Sequence, residues 1–179
     1  MTVKDLTDYA KSFAGKVKYV FGGNDVENGE LDCSSYIQAV YKKAGVELPR
    51  TTQEQAKTGT YVKPEDAKEG DMVMFQNTYT NGISHVGYYL GDGKVLHNSS
   101  NGITISDLTS GYYAEHFSQF RRVLDDKTMA AVNVSGVENS NKDVSLNGGI
   151  WYVVVRMVSI ALAIIFGMLF FAKSMNLEV

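Results

Sequence analysis

One cysteine and three histidines could carry nucleophilic chemistry in this chain: Cys33, His85, His97 and His116. A lone cysteine is most often a small buried hydrophobe, so its surroundings have to argue for more. Cys33 stands at the start of a predicted helix in which Cys33, Tyr36, Ile37, Val40, Tyr41 and Ala44 share one face. Asp32 is placed as the N-cap and Gly45 as the stop. Unpaired N–H groups and the helix dipole favour negative charge at such an end. That predicts a lowered thiol pKa and a thiolate nucleophile. The same N–H groups can hold the oxyanion of a tetrahedral intermediate.

A thiolate nucleophile needs a proton acceptor within hydrogen-bond reach. His85 and His97 fall on two predicted strands, 84–90 and 94–99, joined by Gly91-Asp92-Gly93, a hairpin signal. If Leu90 pairs with Lys94, Gly87 faces His97. Alternation then puts His85, Gly87 and His97 on one face with the histidines diagonal, and the missing side chain of Gly87 lets the rings approach. A one-residue change of register sends His97 to the opposite face. In the first register His85 takes the Cys33 proton and later protonates a leaving amine, while His97 holds the His85 ring in its useful tautomer. His116, in YYAEHFSQF, stands outside this pattern and reads as structural. A single cysteine excludes an intrachain disulfide and a thiolate-rich metal site, and no metal or cofactor is expected.

These residues need elements to hold them. A first helix is predicted over 4–14, with Leu6, Tyr9, Ala10 and Phe13 as its apolar stripe and Gly15 as its end. A short helix is predicted to start at Thr52, with Thr52 and Gln55 as a capping box. Residues 72–76 read as a buried strand, and 103–108 and 119–124 as further strands. Helices first and an antiparallel sheet after them define an α+β fold. The 179 residues are 44% hydrophobic and 21% charged, with net charge -3 and no basic stripe. That balance is globular and excludes nucleic-acid recognition.

The ordered pieces resemble the NlpC-type cell-wall peptidases, papain-like γ-D-glutamyl endopeptidases. They are YVFGG (19–23), LDCSSYIQAVYKKAGVELPRTTQEQ (31–55), EGDMVMF (69–75) and SHVGYYLGDGKVLHNS (84–99). Any one is weak; together, in order, they are specific and cover about residues 4 to 124. The resemblance implies a papain-like NlpC-type fold with Cys33 as nucleophile, His85 as base and His97 as the third polar residue. It implies that Tyr19 supports the oxyanion, that Asp32 and Ser34 bind the free amino end of a stem peptide, and that Ser84 is the small polar residue before the base. Ser35 stands where the family usually has Gly, and Phe21 where Trp is common. The implied reaction is hydrolysis of the peptidoglycan stem peptide, at the bond between D-glutamate and the third-position diamino acid. Neighbouring papain-like families cut N-acetylmuramoyl–L-alanine amides or cross-bridges instead.

The remaining sequence divides into a polar linker (125–149), an apolar segment (150–173) and a short tail (174–179). The segment IWYVVVRMVSIALAIIFGMLFFA has Arg156 as its only charge and is long enough to span a bilayer. The first residues carry acids and no continuous apolar core, so they do not read as a signal peptide. A tail-anchored enzyme of that layout would face the cytoplasm, where there is no assembled wall. Three contexts resolve the conflict. A bacteriophage tail could carry the lysin, with the segment in the tail channel or the membrane. A conjugation or secretion system could hold a membrane-anchored wall hydrolase. An endolysin could use the segment for membrane passage. Arg156 within the segment points to helix–helix association, and so to a homo-oligomer, or to a snorkelling position; phage tail proteins are the partners of the first context. The non-enzymatic alternative is a wall-binding or assembly module that has lost turnover.

Overall fold

The computed structural model describes residues 1–125 and Lys127. Helix α1 (Val3–Lys11) begins with a reciprocal cap. Thr2 Oγ1 accepts from the Asp5 N–H at 3.0 Å, and Asp5 Oδ2 accepts from the Thr2 N–H at 2.8 Å. Its inward face is Val3, Leu6 and Ala10. It ends before the expected Ala14, and Gly15 turns the chain at φ 73°. Next come three two-residue strands, β1 (Lys18–Tyr19), β2 (Asn24–Asp25) and β3 (Glu30–Leu31), in the order β1-β3-β2. Strands this short show no alternation, which is why the sequence did not announce them.

Helix α2 (Cys33–Lys43) runs through the core and packs on α1, with the Tyr36 hydroxyl donating to the Ala10 carbonyl at 3.0 Å. Helix α3 (Thr52–Gln55) starts where expected but is capped by Thr51, whose Oγ1 accepts from the Glu54 N–H. Gln55 is not a capping partner. It is fully buried, and its amide donates to the carbonyls of Ser34 and Pro49.

The remaining elements are β4 (Thr60–Val62), a 3-10 turn (Pro64–Asp66), β5 (Met72–Gln76), β6 (Ile83–Gly91), β7 (Lys94–Ser99), β8 (Gly102–Asp107), α4 (Tyr112–Glu115) and β9 (Phe117–Arg122). The six strands form an antiparallel sheet in the order β4-β9-β5-β6-β7-β8. Both faces of β5 are covered. Met72 and Met74 join Val86, Tyr88 and Leu96 under α1 and α2, while Val73 and Phe75 join Val62, Val95 and Phe120 on the other face. That double coverage explains the uninterrupted apolar run at 72–75. Asp71, fully buried, receives Nε and one terminal nitrogen of Arg122 at 2.7 Å each, and the Lys68 N–H at 2.8 Å. This ties the start of β5 to the end of β9.

Among the described residues no helix is long and apolar enough to cross a membrane. The linker, the apolar segment 150–173 and the short tail lie outside the described residues, apart from the linker's start at Asp125 and Lys127.

Candidate active site

Asp32 opens α2 from an extended conformation. Its Oδ1 accepts from the Ser35 N–H at 2.8 Å, and the Ser35 hydroxyl accepts from the Asp32 N–H at 2.9 Å. Ser35 also donates to the Gly23 carbonyl at 2.8 Å. The serine that departs from the family's glycine therefore completes the cap and pins the 19–23 loop to the helix start. This is the geometry that presents Cys33 at the first turn of α2.

The Cys33 thiol is 3% exposed. The backbone N–H groups of Val86, Ser34 and Cys33 favour its anion. Burial, reinforced by the Asp32 carboxylate, pushes the thiol up to about 12 against those N–H groups. The sequence-based expectation of a lowered thiol pKa is corrected here by magnitudes. A helix terminus stabilises an anion by about 0.3–1 kcal/mol, rising to ~2 in partly buried geometry. Full desolvation shifts a buried group by as much as 3–5 pKa units, several times more. Burial therefore favours the protonated form of Cys33.

The base strand has a bulge between Tyr89 and Gly91, so Gly91 rather than Leu90 pairs with Lys94. Asp92 and Gly93, at φ 48° and 69°, form a two-residue turn. The bulge restores the pairing Tyr88↔Leu96, which sets Gly87 opposite His97. A Cβ on Gly87 would lie 2.4 Å from Val95 Cγ2 and 3.2 Å from His97 Cβ. The histidines share one face as expected, with His85 Nε2 3.1 Å from His97 Nδ1. His97 Nε2 in turn lies 2.8 Å from Ser106 Oγ on β8. Both rings are buried. Burial and then the neighbouring His97 push His85 down to about 3, and burial pushes His97 down to about 4. With His85 Nε2 engaged by His97, Nδ1 is the ring nitrogen left for the thiol proton. His85 and Val86 are consecutive, so one of the N–H groups that favour the thiol's anion belongs to the residue after the candidate base.

Tyr19 and Cys33 line one cavity of about 300 Å³ with Phe21, Asp32, Ser34, Arg50 and Tyr79. Burial, and then the charges of Cys33 and Asp32, push the Tyr19 hydroxyl up to about 12, so it remains a proton donor. A second cavity of about 230 Å³ holds His85, Thr78, Tyr112 and Tyr113, and Tyr19 and Tyr79 line this one as well. The two share a border at those tyrosines.

Asp32 and Ser34 face the first cavity but already have a protein partner. Arg50 donates to Asp32 Oδ1 at 3.1 Å, Asp32 Oδ2 at 2.7 Å, Ser34 Oγ at 2.7 Å and the Gly23 carbonyl at 3.0 Å. Burial alone would raise the Asp32 carboxyl; hydrogen bonds from Arg50, the Ser35 N–H and Ser34 outweigh it and hold the carboxyl below its ordinary range. Ser84 does not line the first cavity. Its hydroxyl bonds to the Thr78 N–H at 2.9 Å and the Thr78 hydroxyl at 2.8 Å, tethering the loop that carries Tyr79. His116 sits apart, its Nδ1 2.8 Å from the Gln76 carbonyl.

Sequence reasoning missed Arg50, Ser106, Asn98 and Tyr113. Arg50 lay within the LPRT stretch already singled out. Ser106 and Asn98 are ordinary strand residues with no spacing signal. Tyr113 reaches the histidines from α4, with ring centroids 4.4 Å from His97 and 5.8 Å from His85. Among the described residues no three His, Cys, Asp or Glu stand close enough to hold a metal ion.

A cysteine at a capped helix start, beside a strand pair carrying two bonded histidines, defines a papain-like arrangement. The model of the NlpC/P60 family matches residues 15–122, and the chain belongs to that family. It is 42% identical over 106 residues to the bifunctional muramidase/DL-endopeptidase CwlT of Bacillus subtilis (strain 168), covering 59% of this chain and 32% of that protein. It is 40% identical over 126 residues to the gamma-DL-glutamyl hydrolase of the same organism, covering 69% of this chain and 30% of that one. Among solved structures it resembles a lipoprotein-like NLP/P60 family protein from Staphylococcus aureus Mu50. There the TM-score is 0.63 and the identity 35%, covering 69% of this chain and 42% of that one. The chain's match spans about a third of the length of those two Bacillus relatives.

Proposed function

We propose that residues 1–124 are a cysteine endopeptidase of the peptidoglycan stem peptide, with Cys33 as nucleophile, His85 as general base and His97 as the residue that orients it. The observation that carries this reading is the 3.1 Å bond between His85 Nε2 and His97 Nδ1. It leaves His85 Nδ1 for the thiol of a cysteine held at a helix start. The thiol proton passes to His85 Nδ1 as Sγ attacks the scissile carbonyl carbon. Backbone N–H groups at the start of α2, with the Tyr19 hydroxyl, take the oxyanion charge. Collapse of the intermediate expels the amine, which leaves with the proton from His85. Water activated by the same ring then releases the acyl group. Because burial favours the neutral forms of both Cys33 and His85, proton transfer accompanies attack rather than preceding it.

The names of the relatives, a DL-endopeptidase and a gamma-DL-glutamyl hydrolase, support the bond following D-glutamate as the one cut. The Asp32–Ser34–Arg50 cluster in the Cys33 cavity is the polar ground for the acyl-side stem peptide. The apolar sequence 150–173 supports delivery to the wall by a bacteriophage tail, with a membrane-anchored hydrolase of a conjugation or secretion system, or an endolysin, as the alternatives. Detection in purified virions supports the first; presence in host membranes without phage overturns it.

The test of the reaction is digestion of purified peptidoglycan by the full chain and by Cys33→Ala, with products read by mass spectrometry. New fragments ending in D-glutamate, absent with Cys33→Ala, are expected. Cleavage at another bond relocates the specificity. Binding without cleavage by either protein identifies a wall-binding module.

A further inference from the structure

We propose that Ser106 is a positioning residue of the histidine pair: its hydroxyl accepts a hydrogen bond from His97 Nε2–H and so supports the tautomer in which His85 Nδ1 is free to take the thiol proton. The inference rests on the peptidase reading of Cys33 and His85 and adds a residue to it.

The argument is a count of protons. A neutral imidazole carries one N–H and one bare nitrogen. His97 has a neighbour at each nitrogen: His85 Nε2 at 3.1 Å from Nδ1, and Ser106 Oγ at 2.8 Å from Nε2. One hydrogen sits between the two rings, and it can belong to either. If it belongs to His85, His97 Nδ1 accepts, His97 carries its own proton on Nε2, and that proton points at Ser106. His85 Nδ1 is then bare. If it belongs to His97, its Nε2 is bare and must accept from Ser106, while His85 carries its proton on Nδ1. In that second arrangement the base presents N–H to the thiol and can accept nothing.

Only the first arrangement survives turnover. When His85 Nδ1 takes the thiol proton, the ring becomes an imidazolium and both its nitrogens donate, so His97 Nδ1 must accept. Starting from the first arrangement, no proton on His97 has to move. Ser106 serves it because it can accept. It lies on β8, the outer strand of the sheet, and is itself partly exposed, so its own hydroxyl hydrogen can be given to solvent. His97 is 1% exposed, so its Nε2–H depends on a protein acceptor.

The experiment uses the full chain with 15N-labelled histidine, as wild type, Ser106→Ala and Ser106→Thr. Nitrogen chemical shifts report which ring atom carries each proton. The wild type is expected to show both rings protonated at Nε2. Ser106→Ala is expected to move a fraction of the His97 proton to Nδ1 and to lower kcat about tenfold, the worth of one hydrogen bond, with KM unchanged. Ser106→Thr, which keeps the hydroxyl, restores both. A wild-type His97 protonated at Nδ1 overturns the proposal whatever the variants do, and so does an Ala variant with wild-type nitrogen shifts and kcat. The spectra need no substrate. A wild type that cuts no stem peptide while showing both rings protonated at Nε2 sinks the peptidase reading and leaves the tautomer assignment standing.

Discussion

The side-chain amide of Asn98 donates to the backbone carbonyl of Leu31 at 2.8 Å. One partner directly follows His97 and the other stands two residues before Cys33. This buried bond couples the strand that carries His97 to the segment that leads into Cys33. Asn98→Ala removes the donor, leaving the Leu31 carbonyl without that partner. A loss of about 1–3 kcal/mol of stability is expected, with a further fall in kcat/KM beyond any unfolded fraction. Urea melts beside kinetics on a stem peptide check it; wild-type kcat/KM would show that the coupling does not matter to the site.

Gly87 keeps the two histidines at bonding distance. Gly87→Ala places a Cβ 2.4 Å from Val95 Cγ2 and 3.2 Å from His97 Cβ. Overpacking of this kind costs about 1–3 kcal/mol. Because one of the displaced neighbours is His97, turnover is expected to fall well below what the melting temperature explains. Equal activity per folded molecule would refute this.

Burial of the thiol dictates how Cys33 meets an alkylating agent. Burial pushes the thiol up to about 12 and His85 down to about 3, which favours the neutral forms of both at neutral pH. The rate of iodoacetamide capture is therefore expected to climb steadily from pH 6 to pH 10. A flat plateau beginning near pH 5 would mean a preformed ion pair.

How much of this was legible beforehand differs residue by residue. Cys33, His85 and His97 stand out as candidates because their residue types are rare in the chain and their elements carry strong periods, and the structure does bond the two histidines. The hairpin register came out right although Leu90 does not pair with Lys94: the Asp92-Gly93 turn and the bulge beside it compensate each other. The thiol pKa was misjudged because a helix terminus is visible in sequence and depth of burial is not. Arg50, Ser106 and Asn98 reach their partners over distances in sequence of 18, 9 and 67 residues, which no local pattern reports. Ser84 was placed near the base by adjacency, yet its hydroxyl turns to Thr78.

Acid should loosen the domain through its histidines. His85 and His97 are held at about 3 and about 4, below the ordinary 6.5. Between those values and 6.5 the unfolded chain binds protons that the folded chain refuses. Their contribution is full above about pH 6.5 and is lost as pH falls toward 4 and then 3. Denaturant midpoints between pH 7 and pH 4 are expected to drop, and His85→Gln combined with His97→Asn to flatten the drop. An unchanged slope in that double variant would assign acid sensitivity elsewhere.

Breaking the buried Asp71–Arg122 pair is expected to cost more than any surface ion pair of the domain. Arg122→Ala leaves a carboxylate with no exposed surface facing only the Lys68 N–H. Removing one partner of such a pair costs about 3–5 kcal/mol, readable as a shift in urea midpoint. A loss under about 1 kcal/mol, the range of surface ion pairs, would contradict the bond's burial.

The strand order β4-β9-β5 inserts the last strand of the described chain between the first two of its sheet. Synthesis from the N-terminus makes both histidines before Phe117–Arg122. Until those residues arrive, β4 has no neighbour, β5 has an open edge, and Asp71 has no guanidinium. The growing polypeptide thus holds its reactive side chains without the closed scaffold that aligns them. Alignment of the candidate site therefore waits for the strand that closes the sheet.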